Sequence, residues 1–387
     1  MTGQRLTPLE MLARLVAFNT ISSCSNLELI SFVEAYLQGW GVVSQRIPNA
    51  AGDKAALFAT IGPQDRGGVV LSGHTDVVPV DGQIWASDPF SLHVENDRAY
   101  GRGAVDMKGF CALVLALVPD FLAARLATPV HIFLSYDEEV TCLGVVDGIA
   151  RFGRDLPQPI AVIVGEPTDL EVADAHKSIA MFTTRITGAQ AHSSKPDLGA
   201  SAVHGAMLIG AELDRLSLEY ASRGDSSGRF DPPCSTIHIG QMSGGTARNI
   251  LASDALLQWE VRALPDLDIN EVPARLAQFI DTTILPRFQQ TFPGYRVDTE
   301  MDGLVPALAP SVGAFAQTLA LKLAGRNQTI TVPYGTEAGH FHNAGIPTVV
   351  CGPGSIDRAH KADEYISLDE LAGGEGLLRR LIAELSY

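Results

Sequence analysis

Four short, unbroken apolar runs constrain this chain more than any other feature. They are 68–71 (GVVL), 130–135 (VHIFLS), 160–164 (IAVIV) and 347–351 (PTVVC). A strand covered on both faces is apolar throughout, whereas a strand wet on one face alternates. Between two of these runs, 106–126 carries a helical pattern. Two helices precede the runs. Thr7-Pro8-Leu9-Glu10 supplies an N-cap, a proline at the first helical position and a capping-box glutamate. A second helix is expected from Asn26, with Leu29, Ile30, Val33, Tyr36 and Leu37 inward and Gly41 at its end. Buried strands alternating with helices give an α/β domain, with a mostly parallel sheet flanked by helices.

The pattern changes near Lys177. Residues 179–187 alternate, 199–216 are helical, 235–242 and 254–263 read as strands, 270–285 as a helix and 295–300 as a last strand. This β-α-β-β-α-β order is that of a ferredoxin-like α+β unit. The expected division is a domain formed by 1–177 and 303–387, with an insert at 178–302.

Composition narrows the function. A chain of 387 residues, 46% hydrophobic and 19% charged, can build a core for two or three domains. Its formal charge of −16 suits neither a nucleic-acid backbone nor an anionic membrane, and does suit cations. No apolar stretch approaches a membrane span, and the N-terminus lacks the apolar segment of a signal peptide. Five scattered cysteines without a CxxC point to a reduced, cytoplasmic protein with no thiolate zinc site.

The unusual polar residues fall just after the apolar runs. GVVL leads into Ser72-Gly73-His74-Thr75-Asp76, and VHIFLS into Tyr136-Asp137-Glu138-Glu139. IAVIV leads into Gly165-Glu166-Pro167, and PTVVC is followed by Gly352-Pro353-Gly354 and His360. Open α/β sheets bind ligands beyond the carboxyl ends of their strands, so these clusters would meet at one edge. Imidazoles and carboxylates without thiolates suit zinc, cobalt or manganese, and five ligands would fill a two-metal site sharing one carboxylate. Taken singly, each has an ordinary explanation. His74 and Asp76 could be a loop pair, Glu138-Glu139 a solvated turn, Glu166 a turn residue, Asp106 a helix cap and His360 a surface histidine. Independent accidents, however, have no reason to follow successive strands of one sheet. A serine nucleophile lacks its Gly-x-Ser-x-Gly elbow. Cys142 has no helper histidine and reads as a small buried residue.

Ser72-Gly73-His74-Thr75-Asp76-Val77-Val78-Pro79 and Tyr100-Gly101-Arg102-Gly103-Ala104-Val105-Asp106-Met107-Lys108-Gly109 resemble the two metal-binding signatures of the M20 metallopeptidase and deacylase family. Glu138-Glu139, Gly165-Glu166-Pro167-Thr168 and His360 complete the set in order. The resemblance implies that His74 and Glu166 bind one metal, that Glu139 and His360 bind the other, and that Asp106 bridges them. It makes Asp76 the partner that orients His74, and Glu138 the general base for a metal-bridging hydroxide attacking an amide carbonyl. Two Zn2+ ions, or Co2+, are implied. The insert would be a lid and dimerisation domain, giving a homodimer in which His192 donates to the oxyanion of the other subunit's site. Asn249, Arg262, Gly335 and Thr336 resemble substrate contacts.

Within the family, Gly335-Thr336-Glu337-Ala338-Gly339-His340-Phe341 and Ala359-His360-Lys361-Ala362-Asp363-Glu364-Tyr365 are similar to the acetylornithine deacetylase group. Thr336-Glu337-Ala338 replaces the Thr-Ser-Asp of the desuccinylases. The implied reaction is hydrolysis of N-acetyl-L-ornithine to ornithine and acetate, in arginine biosynthesis. Another N-acyl-amino-acid deacylase, desuccinylase or dipeptidase is the alternative, and a non-catalytic metal-binding relative is the alternative from another class. Glu337 would face the ornithine ammonium, or simply water.

Overall fold

The computed structural model describes residues 3–387. The chain divides into two compact units. One comprises the chain up to Ala175, Leu308–Thr331 and Thr336–Tyr387. The other comprises His176–Ala307 and Val332–Gly335.

The first unit is built on an eight-stranded sheet. Its spatial order is Ser44–Pro48, Ala55–Ile61, Val130–Ser135, Val69–His74, Ala161–Pro167, Thr348–Gly352, Ala173–His176 and Ile330–Val332. The four middle strands are those of the apolar runs, and they pair in parallel. All four are buried along their whole length, which is why their sequences do not alternate. The Ala55–Ile61 strand runs antiparallel to Val130–Ser135, and Ser44–Pro48 runs antiparallel to Ala55–Ile61. The sheet is thus parallel at its centre and antiparallel at that edge. Helices Pro8–Val16, Leu27–Gly39, Lys108–Ala116 and Leu368–Leu385 contribute Leu12, Leu15, Val33, Leu113 and Leu378 to the core beneath it.

Several local readings need correction. The helix expected over 106–126 is two helices, Lys108–Ala116 and Val118–Ala123. Pro119 lacks an N–H and takes the first turn of the second, so the first helix ends before it. Its N-cap is Met107 with no side-chain bond, so Asp106 is not a cap. A small antiparallel sheet, Tyr365–Ser367 with Arg98–Tyr100 and His93–Glu95, gave no signal at three residues per strand.

The second unit is a four-stranded antiparallel sheet in the order Thr236–Gly244, Asp254–Ala263, Ser178–Thr187, Arg296–Val305. The third strand in sequence lies between the first and second, as the β-α-β-β-α-β order requires for a ferredoxin-like unit. Helix Ala202–Arg223 packs Ala206, Ile209, Leu213 and Leu216 into a core with Phe182, Leu257 and Trp259. The last strand, expected to end at 300, runs to Val305, so this unit extends to Ala307. Among the described residues, no helix is long and apolar enough to cross a membrane.

His131 lies fully buried in a central strand, against Thr60 Oγ1 at 2.9 Å and stacked on Phe58. Burial lowers its pKa from 6.5 to about 4. The unfolded chain therefore takes up this proton first, and stability falls as pH falls from 6.5 towards 4. We expect His131 to account for a loss of about 2 kcal/mol between pH 7 and pH 5. Urea unfolding of the wild type and His131→Gln across that range checks this. Parallel pH profiles would remove His131 as the cause.

Candidate metal centre

The strand ends of the first unit carry the site. Val69–His74 ends at His74, which is completely buried. Its ring is fixed from behind: Nδ1 is 2.9 Å from the backbone oxygen of Asp76 and 3.5 Å from Asp76 Oδ1. Nε2 faces Asp106 Oδ1 at 3.1 Å and Glu166 Oε1 at 3.6 Å. Glu166 belongs to the Ala161–Pro167 strand rather than to a turn, and is buried. On the other side, His360 Nε2 is 3.2 Å from Asp106 Oδ2 and 2.9 Å from Glu139 Oε2. Asp106 thus offers one carboxylate oxygen to each imidazole. His360 has a left-handed backbone, φ 62°, and a half-exposed side chain.

The acidic turn after Val130–Ser135 is anchored by Asp76. Its Oδ1 accepts from the N–H of Glu138 at 3.1 Å, and its Oδ2 from that of Glu139 at 3.3 Å. The Ser22 hydroxyl donates to Oδ2 at 2.7 Å. Asp76 therefore ties His74 to the Glu138–Glu139 turn, a connection invisible in sequence because it joins residues more than sixty apart. Lys54, paired with Asp137, holds the same turn from outside. Glu138 and Glu139 are therefore not a freely solvated turn.

Two residues make contacts that the sequence did not show. Glu337 neither faces water nor offers an open carboxylate. It is buried, and its two oxygens accept from the hydroxyls of Ser72 and Ser135, each at 2.6 Å. It cross-links the two strands that carry His74 and lead to Glu138. The thiol of Cys142 donates to Glu138 Oε1 at 3.2 Å and to the Glu138 carbonyl at 3.3 Å, so this buried cysteine touches the acidic pair. The four-residue spacing was the only sequence signal for that contact.

The electrostatics ask for cations. Burial, with repulsion from neighbouring carboxylates and partial relief from His74, pushes Glu138 up to about 8. Burial and Asp106 push Glu139 up to about 7 against the opposing bond from His360, and burial raises Glu166 well above the carboxylate range. Asp106 is also desolvated, but hydrogen bonds from His360 and His74 outweigh this and hold it low. The bonds to Asp106 and Glu139 raise His360 to about 10. Crowded buried carboxylates stay ionised together only when positive charge offsets them.

The donor set fits divalent metal. His74, Asp106 and Glu139 present ligand atoms within 4.8 Å of one another, as do His74, Glu138 and Glu166. Glu166 Oε1 is buried without a hydrogen-bond partner among the described residues, a costly state that a cation relieves. Two imidazoles and several carboxylates are a borderline-hard set suited to zinc, cobalt or manganese.

Of the remaining expected site residues, His192, Asn249, Arg262 and Gly335 belong to the second unit and Thr336 to the first. His192 is exposed, with Nδ1 2.8 Å from the Ser194 hydroxyl. It forms an isolated antiparallel bridge with Ile250, which places Asn249 beside it, and the Asn249 carbonyl accepts from Ser193 N. Arg262 sits on an interior strand, not at a sheet edge, with Nε donating to Glu260 at 2.9 Å. Gly335 closes the Val332–Gly335 segment, where a Cβ would lie 2.9 Å from Ile179 Cδ1. Thr336 is fully buried, and its hydroxyl accepts from the N–H of Ala338.

Comparison with known proteins agrees with this architecture. The description of peptidase family M20/M25/M40 matches residues 70–384. The chain is 34% identical over 388 residues to an acetylornithine deacetylase of Pasteurella multocida, covering 97% of each. It is 32% identical to an acetylornithine deacetylase of Photorhabdus laumondii, covering 97% of this chain and 96% of the relative. Among solved structures, an aminopeptidase of Bacillus cereus superposes with a TM-score of 0.72 at 17% identity, covering 100% of each chain. A dinuclear metal-binding M20 peptidase of Bacillus subtilis superposes at 0.64 and 14% identity, covering 98% of each. These likenesses confirm the α/β fold.

If Glu337 is a cross-link, its loss costs stability. We expect Glu337→Ala to lower the unfolding free energy by about 1–3 kcal/mol in urea titrations, because two buried hydroxyls lose their acceptor. An unchanged midpoint would show that the serine bonds contribute nothing.

Proposed function

Because this chain belongs to peptidase family M20/M25/M40, we propose that its strand-end site removes the acetyl group from N-acetyl-L-ornithine, yielding acetate and L-ornithine. As a member, the chain is a metal-dependent hydrolase of amide bonds. The observation that carries the reading is Asp106, set with one oxygen towards each of two histidines, each of which has a further carboxylate beside it. The acyl-ornithine substrate is supported by the curated relatives, which match almost the whole chain.

In this reading His74 and Glu166 hold one cation, His360 and Glu139 hold a second, and Asp106 serves both. Two such cations, Zn2+ by the donor chemistry with Co2+ able to replace it, acidify water and polarise the amide carbonyl. Glu138 takes the proton of the attacking water and passes it to the departing amine nitrogen. Asp76 keeps His74 in one orientation and Glu138 at one distance from it, through its carbonyl and its carboxylate. Cys142 restrains the Glu138 carboxylate through its thiol.

The second unit supplies recognition. The Ser194 hydroxyl engages Nδ1 of His192, so Nε2 is the nitrogen left to donate to a developing oxyanion. In the homodimer we propose, that donation crosses to the other subunit. Arg262 and Asn249 suit the substrate α-carboxylate, one as a charged fork and one as an amide donor. Gly335 and Thr336 contribute backbone at the substrate, since a glycine permits close approach and the Thr336 hydroxyl already accepts from the N–H of Ala338. A cytoplasmic setting agrees with the five free cysteines.

Metal-depleted protein should release primary amine from N-acetyl-ornithine only after zinc or cobalt is restored. It should prefer that substrate to N-acetyl-citrulline, N-acetyl-methionine, N-succinyl-diaminopimelate and a dipeptide. Turnover led by another compound would discard the ornithine assignment and keep the chemistry. Glu138→Gln should retain both ions by elemental analysis while kcat falls by about 100- to 10,000-fold, the range for losing a positioned proton carrier. Near-normal kcat in that variant would remove Glu138 from the role.

A further inference from the structure

His74 and Glu166 sit on strands of the central sheet: His74 pairs with Ser135, and Glu166 lies between the paired residues Val164 and Pro167. Asp106 and His360 sit on loops, and His360 has a left-handed backbone that an ordinary side chain does not favour. Something else must hold these two at a common distance.

A closed circuit of hydrogen bonds does so. Glu364 Oε1 accepts from the N–H of Val105 at 3.0 Å and from that of Asp106 at 3.2 Å. Its other oxygen accepts from Arg102 Nη1 at 2.7 Å. Arg102 Nη2 donates to Gln83 Oε1 at 2.5 Å. Gln83 Nε2 donates to the backbone carbonyl of His360 at 3.0 Å. His360 and Glu364 share one loop, so the circuit returns to its start. Three segments distant in sequence are locked together, with Asp106 and His360 on opposite sides of the lock.

The chemistry of the lock argues for position rather than stability. Arg102 and Glu364 are each only 1% exposed, and an ion pair so deeply buried gives up hydration that an apolar pair would not. What the pair offers instead is direction. A planar guanidinium donates along fixed vectors, one to Glu364 and one to Gln83, with Trp85 lying 5.1 Å from it.

We propose that Gln83, Arg102 and Glu364 are positioning residues that set the separation of Asp106 and His360, and with it the second metal site of the reaction proposed above, on which this inference rests. The strand-borne His74–Glu166 site shares only Asp106 with this circuit, and Gln83 bonds His360 rather than Asp106. Loss of the Gln83 link should therefore weaken the second metal site and spare the first.

Zinc binding to the metal-free full-length chain, measured by competition with a fluorescent chelator, tests this without reference to turnover. The wild type should take up two ions. Gln83→Leu, at a half-buried position, should weaken the second ion by about 10- to 100-fold, the usual effect of losing an outer partner of a metal ligand, and leave the first unchanged. Gln83→Glu keeps an acceptor for Arg102 but cannot donate to the His360 carbonyl, so it should behave like Gln83→Leu. Glu364→Gln should weaken the same ion. In a His360→Ala background, where only the His74–Glu166 site remains, Gln83→Leu should change nothing. Two ions bound by Gln83→Leu at wild-type affinity would overturn the proposal and leave the two-metal reading standing. Equal weakening of both ions, or an effect persisting in the His360→Ala background, would also overturn it. Fewer than two ions bound by the wild type would overturn the two-metal reading itself, and this inference with it.

Discussion

The structure of the first unit turns on one electrostatic constraint. Asp76, Asp106, Glu138, Glu139 and Glu166 converge at one end of a buried sheet, with two imidazoles among them. Such a concentration of acid is unfavourable unless each carboxylate is hydrogen-bonded, protonated or set against a cation. The chain answers differently at each. Asp76 accepts two backbone N–H groups and a serine hydroxyl, so it is satisfied by the protein itself. Asp106 is held low by two histidines. Glu138, Glu139 and Glu166 are left raised, and one oxygen of Glu166 has no hydrogen-bond partner among the described residues. The unmet demand is concentrated where the metal reading places the ions.

The supporting residues form two distinct systems. Behind His74, Asp76 and the Glu337 cross-link bind together the Val69–His74 and Val130–Ser135 strands and the acidic turn. Behind His360, a buried arginine and glutamate hold loops that the sheet does not reach. One system adds side-chain bonds to an existing ladder, and the other stands in for a ladder. The difference follows from where each ligand lies, because a strand end inherits its position from the sheet and a loop does not.

Much of this was legible along the chain, for identifiable reasons. Full burial makes the central strands continuously apolar, so they were visible, and their carboxyl ends pointed to His74, Glu138-Glu139 and Glu166. The ferredoxin-like order of the second unit followed from alternation and helical spacing. The antiparallel edge of the large sheet was not visible, since Ser44–Pro48 is largely exposed and short. The break at Pro119 was hidden by continuous apolarity on either side. Glu337 was misread because a carboxylate in a loop normally faces water, and only the approach of Ser72 and Ser135 shows otherwise.

By itself, the sequence marked the central buried strands, the ferredoxin-like order after Lys177, and a set of imidazoles and carboxylates whose chemistry suits a divalent metal. Those properties depend on local periodicity and on side-chain chemistry, both written along the chain. Only the tertiary structure decided that Asp106 faces both histidines, that Asp76 carries the acidic turn on its carboxylate, that Glu337 is an internal tie, and that Arg102, Glu364 and Gln83 join the loops of Asp106 and His360. Each of these joins residues tens to hundreds of positions apart. Such contacts are set by how the strands and loops pack, and no local pattern in the chain encodes them.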